Sequence, residues 1–155
     1  LVGLIVWFGL TFAAAGIGAA ASVRAASFYG ELATPDWAPP AAVFGPVWTA
    51  LYAMMAVAAW WVWRSAGFEK ARYGLILFLA QLAFKTAWSW LFFAWRLGGW
   101  GFADMVVLWI LIVLTIVGFW RIRPMSGMLM IPYLAWVSFA AVLNYVVWRM
   151  NPGLL

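Results

Sequence analysis

The sequence predicts an all-α integral membrane protein, a single-domain bundle of five transmembrane helices over residues 1–155. Composition is the first reason: 69% of the residues are hydrophobic and 8% charged, against roughly half and a quarter in soluble domains. Mean hydropathy is correspondingly high, at +1.02. Run length is the second. The apolar residues gather in stretches of about 20, enough for a helix to cross the hydrocarbon core, with room for five spans and not seven. The third is that these stretches are continuously apolar and show no period of two, which disfavours a β-barrel.

The first span is expected over about residues 1–23. It lacks a basic start and a polar cleavage region, so a spanning helix is a better reading than a signal peptide. The missing initiator Met leads us to expect a few residues before Leu1. Small residues (Gly9, Ala13, Gly16, Gly18, Ala20, Ser22) allow close approach by another helix, within the bundle or across a dimer. Arg24 opens a polar connection, 24–40, whose Glu31, Thr34, Pro35, Asp36, Trp37, Pro39 and Pro40 argue for an ordered, lid-like loop. A second span covers about 41–63 and closes at Arg64-Ser65-Ala66-Gly67. Glu69-Lys70-Ala71-Arg72 leads into a third, about 73–95. Arg96 and Gly98-Gly99 precede a fourth, about 100–120, which Arg121, Arg123 and Pro124 end. The fifth, about 127–148, stops at residues 149–153.

Basic residues on alternate sides set the orientation. Arg64, Lys70, Arg72, Arg121 and Arg123 lie on one side and Arg24, Arg96 and Arg149 on the other, which predicts a cytoplasmic N-terminus. The net charge of +5 comes from cations placed singly, all but Lys85 at span ends, without the basic stripe that nucleic acid requires, so no nucleic-acid partner is expected. The chain has no Cys and no His. That removes Cys/His zinc sites, His-ligated haem, thiol chemistry and His-based catalysis, and leaves the redox compartment unreadable. No metal site is expected. There is also no nucleotide loop, no Ser–base arrangement and no pair of carboxylates within a span.

The 14 tryptophans are the strongest compositional signal. Trp37, Trp63, Trp95, Trp100, Trp120 and Trp148 fall near span ends, as an aromatic belt does. Trp48, Trp88, Trp109 and Trp136 lie well inside their spans. There each indole packs between helices or faces a flat ligand, with a partner needed for its N–H. Lys85 falls near mid-bilayer and Gln81 one turn before it, with Asp104 and Asn144 nearer one side. They are either interhelical polar contacts or a cluster facing a ligand. A direct Lys85–Asp104 ion pair is uncertain, because helical rise separates them by about 10 Å in depth. Leu143, Tyr145 and Arg149 fit a proposed sterol-contact pattern that many spans match by chance.

Trp37-Ala38-Pro39-Pro40 and Phe44-Gly45-Pro46-Val47-Trp48-Thr49-Ala50-Leu51-Tyr52 resemble the first loop and second helix of the translocator protein family, called tryptophan-rich sensory proteins (TspO/MBR) in bacteria. Trp88-Ser89-Trp90-Leu91-Phe92-Phe93 resembles its third helix. Pro132-Tyr133-Leu134-Ala135-Trp136, followed by Ala140, Leu143, Asn144 and Tyr145, resembles its fifth. The resemblance implies a five-helix bundle, usually a homodimer, in the lipid bilayer, with a ligand pocket beneath the first loop. In a bacterial host, helical spans favour an inner-type membrane. The family binds protoporphyrin IX and haem as ligands, with no cofactor required, and in many members sterols or drug-like molecules. The ligand-contact positions that match are Trp37, Trp48, Trp100, Trp136, Ala140, Leu143 and Asn144. Family members usually carry Asn where this chain has Lys85, so Lys85 joins the candidate site, either pairing with a ligand carboxylate or filling part of the pocket. Arg24 or Arg149 could meet such carboxylates near the interface. The resemblance implies a receptor or carrier of tetrapyrroles. The alternatives are light-dependent degradation of bound protoporphyrin, with Trp48 and Trp136 as the photochemical residues, and a stress-linked regulatory role.

Overall fold

The computed structural model describes residues 2–21 and 29–152. Among these, five helices are long and apolar enough to cross a membrane. They are α1 (Val2–Ala21), α2 (Phe44–Lys70), α3 (Arg72–Ser89), α4 (Gly98–Ile122) and α5 (Pro124–Met150). A 3-10 turn, Ala41–Val43, precedes α2, and a π-helical turn, Trp90–Ala94, extends α3. The protein is an integral, multi-pass membrane protein.

Helix ends follow local chemistry. The second span does not stop at Trp63: Arg64, Ser65 and Ala66 remain helical, because none of them resists helix. The interruption comes at Gly67, whose φ of 74° and ψ of 167° belong to a region that only glycine adopts without strain. Its carbonyl accepts the Ala71 N–H at 3.1 Å, so α2 turns into α3 almost without a loop. At the far end of α3, the Trp95 N–H bonds the Trp90 carbonyl at 2.9 Å, a wide five-residue turn. Arg96 then leaves the helix at φ 54°. Arg123 alone joins α4 to α5, in extended conformation. Pro124 both prevents α4 from continuing and suits the first position of α5, where no N–H is needed.

The helices close a ring in the order α1–α2–α5–α4–α3, with α3 returning to α1, and α2 also touches α3 and α4 across the ring. Glycine permits the closest approach: a Cβ on Gly118 would stand 3.1 Å from Gly74 Cα, so α3 and α4 meet backbone to backbone. The small residues of α1 divide. Gly18 packs on Ser89 of α3, whereas Gly9, Ala13, Gly16 and Ala20 are exposed. Ser22 and Arg24 lie outside the described residues. In the half of the bundle away from the first loop, Met55, Leu75, Phe78, Leu108, Ile112 and Met130 form a fully buried core.

Gln81 belongs to that core and is fully buried. The Tyr133 hydroxyl donates to Gln81 Oε1 at 2.6 Å, and Gln81 Nε2 meets Met55 Sδ at 3.7 Å. This amide joins α2, α3 and α5, one turn below Lys85.

Candidate ligand-binding cavity

Above that seal the helices part around a cavity of about 640 Å³. Four of the five contribute to its wall, and α4 contributes nothing. From α1 come Phe12, Ala15, Gly16, Gly18 and Ala19. From α2 come Phe44, Gly45, Trp48, Thr49 and Tyr52. The third helix and its wide turn provide Lys85, Trp88, Ser89, Phe92 and Phe93, and α5 provides Trp136, Ala140, Leu143, Asn144 and Val147. Among the described residues of the first loop, Tyr29 lines it as well.

Chain direction orders these residues by depth. The lining residues furthest from the loop end are Phe12 on α1, Tyr52 on α2, Lys85 on α3 and Trp136 on α5. They make the floor, above the Gln81–Tyr133 contact. The roof is built from Tyr29, packed edge-on against Phe44 with ring centres 5.4 Å apart. Its hydroxyl donates to the Pro39 carbonyl at 2.9 Å. Burial pushes the Tyr29 phenol above its ordinary pKa, which keeps it a donor. Asn151, at the end of α5, holds the loop from the other side. Its Oδ1 accepts the Ala33 N–H and its Nδ2 donates to the Ala33 carbonyl, both at 2.8 Å. An exposed ion pair, Arg96 to Glu31 at 3.7 Å, adds a second tie.

Nine of the 21 described lining residues are aromatic. Trp48 stands edge-on to Trp136, with ring centres 6.4 Å apart, and edge-on to Tyr133 at 6.1 Å. Trp88 stacks on Phe92 at 5.4 Å. The Trp136 Nε1 is buried and has no hydrogen-bond partner among the described residues.

Among the described lining residues Lys85 is the one cation, and it is 4% exposed. Its Nζ lies 4.2 Å from the centre of the Trp48 ring, 5.3 Å from Trp88 and 5.9 Å from Tyr52. Its hydrogen bond goes to Ser89 Oγ at 3.2 Å. Among the described residues no carboxylate comes within 4.0 Å of it, and the Lys85–Asp104 pair does not form. Asp104 sits on α4, outside the cavity lining, with Oδ2 buried and without a hydrogen-bond partner there. An ammonium at this depth costs roughly 2.5–3.5 kcal/mol on insertion scales. Cation–π contact returns about 0.5–2 kcal/mol. Asp104 acts on this ammonium electrostatically from beyond 4.0 Å and takes none of its hydrogen bonds.

The other residues singled out in the sequence are distributed as follows. Trp48, Lys85, Trp136, Ala140, Leu143 and Asn144 meet in the cavity. Asn144 does so with its amide already engaged: Oδ1 accepts the Trp88 Nε1–H at 2.9 Å, and Nδ2 donates to the Gly98 carbonyl at 3.1 Å. It ties α3, α4 and α5 together while presenting its edge to the space. Trp37 and Trp100 are not brought in. Trp37 is 50% exposed against Phe139, and Trp100 is 71% exposed on α4. Tyr145 faces a shallower outer groove between α4 and α5, with Trp109, whose Nε1 donates to Ser138 Oγ at 2.8 Å. Residues 143 and 145 are roughly 200° apart around a helix, so Leu143, Tyr145 and exposed Arg149 share no single contact surface. Tyr52, Phe92, Phe93, Phe12 and Tyr29 were not singled out as site residues from sequence, although the first three lie in or beside quoted motifs.

A five-helix membrane bundle with an aromatic cavity under its first loop defines the class, and comparison with known proteins makes it specific. The chain belongs to the TspO/MBR family, whose model matches residues 5–149. It is 40% identical to the human translocator protein over 128 residues, 81% of this chain and 76% of the human one. It is 39% identical to the tryptophan-rich protein TspO of Chlorobaculum tepidum over 152 residues, 96% of each chain. With the tryptophan-rich sensory protein of Cereibacter sphaeroides it shares 36% identity over 146 residues, 92% of this chain and 90% of that one.

Proposed function

We propose that this protein is a membrane receptor or carrier for tetrapyrroles such as protoporphyrin IX or haem. The cavity carries the reading. Its volume of about 640 Å³ lies inside the roughly 300–1,000 Å³ range of small-molecule sites, and aromatic rings dominate its lining. A flat macrocycle would lie against the face of one of the two perpendicular indoles, Trp48 and Trp136, with the edge of the other beside it, and would offer an acceptor to the orphan Trp136 N–H. Because the chain has no His, haem would be held by packing and stacking rather than by an imidazole on iron. No covalent step is needed for this role.

The test is a titration of detergent-purified protein with protoporphyrin IX in the dark, followed by tryptophan fluorescence. Saturable quenching is expected, weakened at least several-fold by the combined Trp48→Phe and Trp136→Phe substitution. An absence of saturation, or binding indifferent to both substitutions, would exclude the reading. The pairing of those two indoles also favours a second reading, light-dependent degradation of bound protoporphyrin, with the indoles as electron donors. A porphyrin bleaching rate unchanged by the protein under illumination would exclude that alternative and leave the receptor intact.

A further inference from the structure

We infer that Lys85 makes this cavity selective for ligands that enter carboxylate first, with the acid group at the floor and the apolar body toward the loop. The inference rests on the tetrapyrrole reading and adds orientation and ligand class to it. Lys85 Nζ is at the deep end of the lining, held over Trp48 at 4.2 Å and bonded to Ser89 Oγ at 3.2 Å. An ammonium has three donors, and among the described residues no carboxylate lies within 4.0 Å to take the others. The other lining residues around it are mainly aromatic and aliphatic, and the Asp104 carboxylate acts on it only from beyond 4.0 Å, so the ammonium is weakly solvated and attracts an anion within the cavity more strongly than a surface lysine does. The opposite orientation would send a ligand's carboxylates to the roof. There the described cations, Arg96 and Arg149, are exposed to solvent, Arg96 is also paired with Glu31, and the Asn151 amide is engaged by Ala33, so none is a desolvated partner comparable to Lys85. A ligand bearing a carboxylate on one edge and hydrocarbon on the other matches this polarity. A neutral ligand of the same shape leaves Lys85 unpaired.

Protoporphyrin IX and its dimethyl ester, titrated in the dark against detergent-purified protein, separate the possibilities. Charge-assisted hydrogen bonds predict that the diacid binds the native chain at least about tenfold more tightly than the ester. The acid-to-ester affinity ratio should fall toward one in Lys85→Met and persist in Lys85→Arg. Saturable binding of both compounds with equal affinity overturns the inference and leaves the tetrapyrrole reading standing. A preference that survives Lys85→Met also overturns it, since the carboxylate is then read elsewhere. Failure of both compounds to saturate overturns inference and reading together. A measurement on the native chain guards against a misfolded variant. The N-hydroxysuccinimide ester of the porphyrin should acylate Lys85 Nζ in preference to Lys70, releasing N-hydroxysuccinimide and a proton, and excess protoporphyrin IX should block the reaction. Labelling of Lys70 alone overturns the inference.

Discussion

Gln81 and Lys85 stand one turn apart on α3 and have opposite surroundings. Gln81 is enclosed, its carbonyl taking the Tyr133 hydroxyl at 2.6 Å, while Lys85 opens into the cavity. Replacing Gln81 by Leu leaves the buried Tyr133 hydroxyl without that acceptor, a loss of about 1–3 kcal/mol. The expected result is a melting temperature in detergent several degrees below native. Adding Tyr133→Phe should recover much of the loss, because an apolar pair leaves no orphan hydroxyl. Equal melting of Gln81→Leu and native protein would mean that the contact seals nothing. Residue chemistry was partly legible in advance. Lys85 and Asn144 stood out because polar groups inside apolar runs are rare, and both line the cavity. That Gln81 would be sealed and Lys85 open was beyond sequence reasoning, since both share one helical face and partners on α2 and α5 decide their fate.

At the scale of the elements, the five spans were readable because each is long and apolar, and their ends were less so. Helix persists past Trp63 until Gly67, where backbone conformation, not hydropathy, interrupts it. A Cβ there meets no neighbour within 4 Å, so conformational strain is the dominant cost of substitution. Gly67→Ala is expected to destabilise by about 1–3 kcal/mol, from an unfavourable φ/ψ. Ligand affinity should hold, because Gly67 is at the end of α2 remote from the cavity. Thermal melting with and without protoporphyrin IX checks both parts, and unchanged stability would remove the strain argument. Tyr52, Phe92 and Phe93 were hard to assign for a related reason. Aromatics make up 20% of the chain, and a helix that is apolar all round carries no amphipathic period to show which side faces inward. The π-helical turn complicates this further: its extra residue per turn shifts the register of Phe92 and Phe93, and both line the cavity beside Trp88.

Across the whole molecule, the ring of helices leaves α4 as an outer support, and the other four line the cavity. The first loop covers the space through two ties of unequal strength. The Arg96–Glu31 pair is exposed, and such pairs contribute about 0–1 kcal/mol. Asn151 makes paired amide contacts with Ala33 and also donates to the Val147 carbonyl, so it is the stronger tie. Asn151→Ala should therefore accelerate both association and dissociation of protoporphyrin IX, measured by stopped-flow quenching, with a smaller change in equilibrium affinity. Glu31→Gln should change the rates little. Rates unchanged in Asn151→Ala would mean that the ligand does not pass the loop.

The Asn151–Ala33 clip joins positions 118 residues apart in the chain. A ribosome delivers the first loop to the membrane long before it delivers the end of the fifth helix. During that interval the loop lacks the partner that holds it down, and the half-made bundle lacks the wall that α5 provides. The roof of the cavity is thus completed by the last part of the clip to be synthesised, and only a chain translated through Asn151 has it fastened at Ala33.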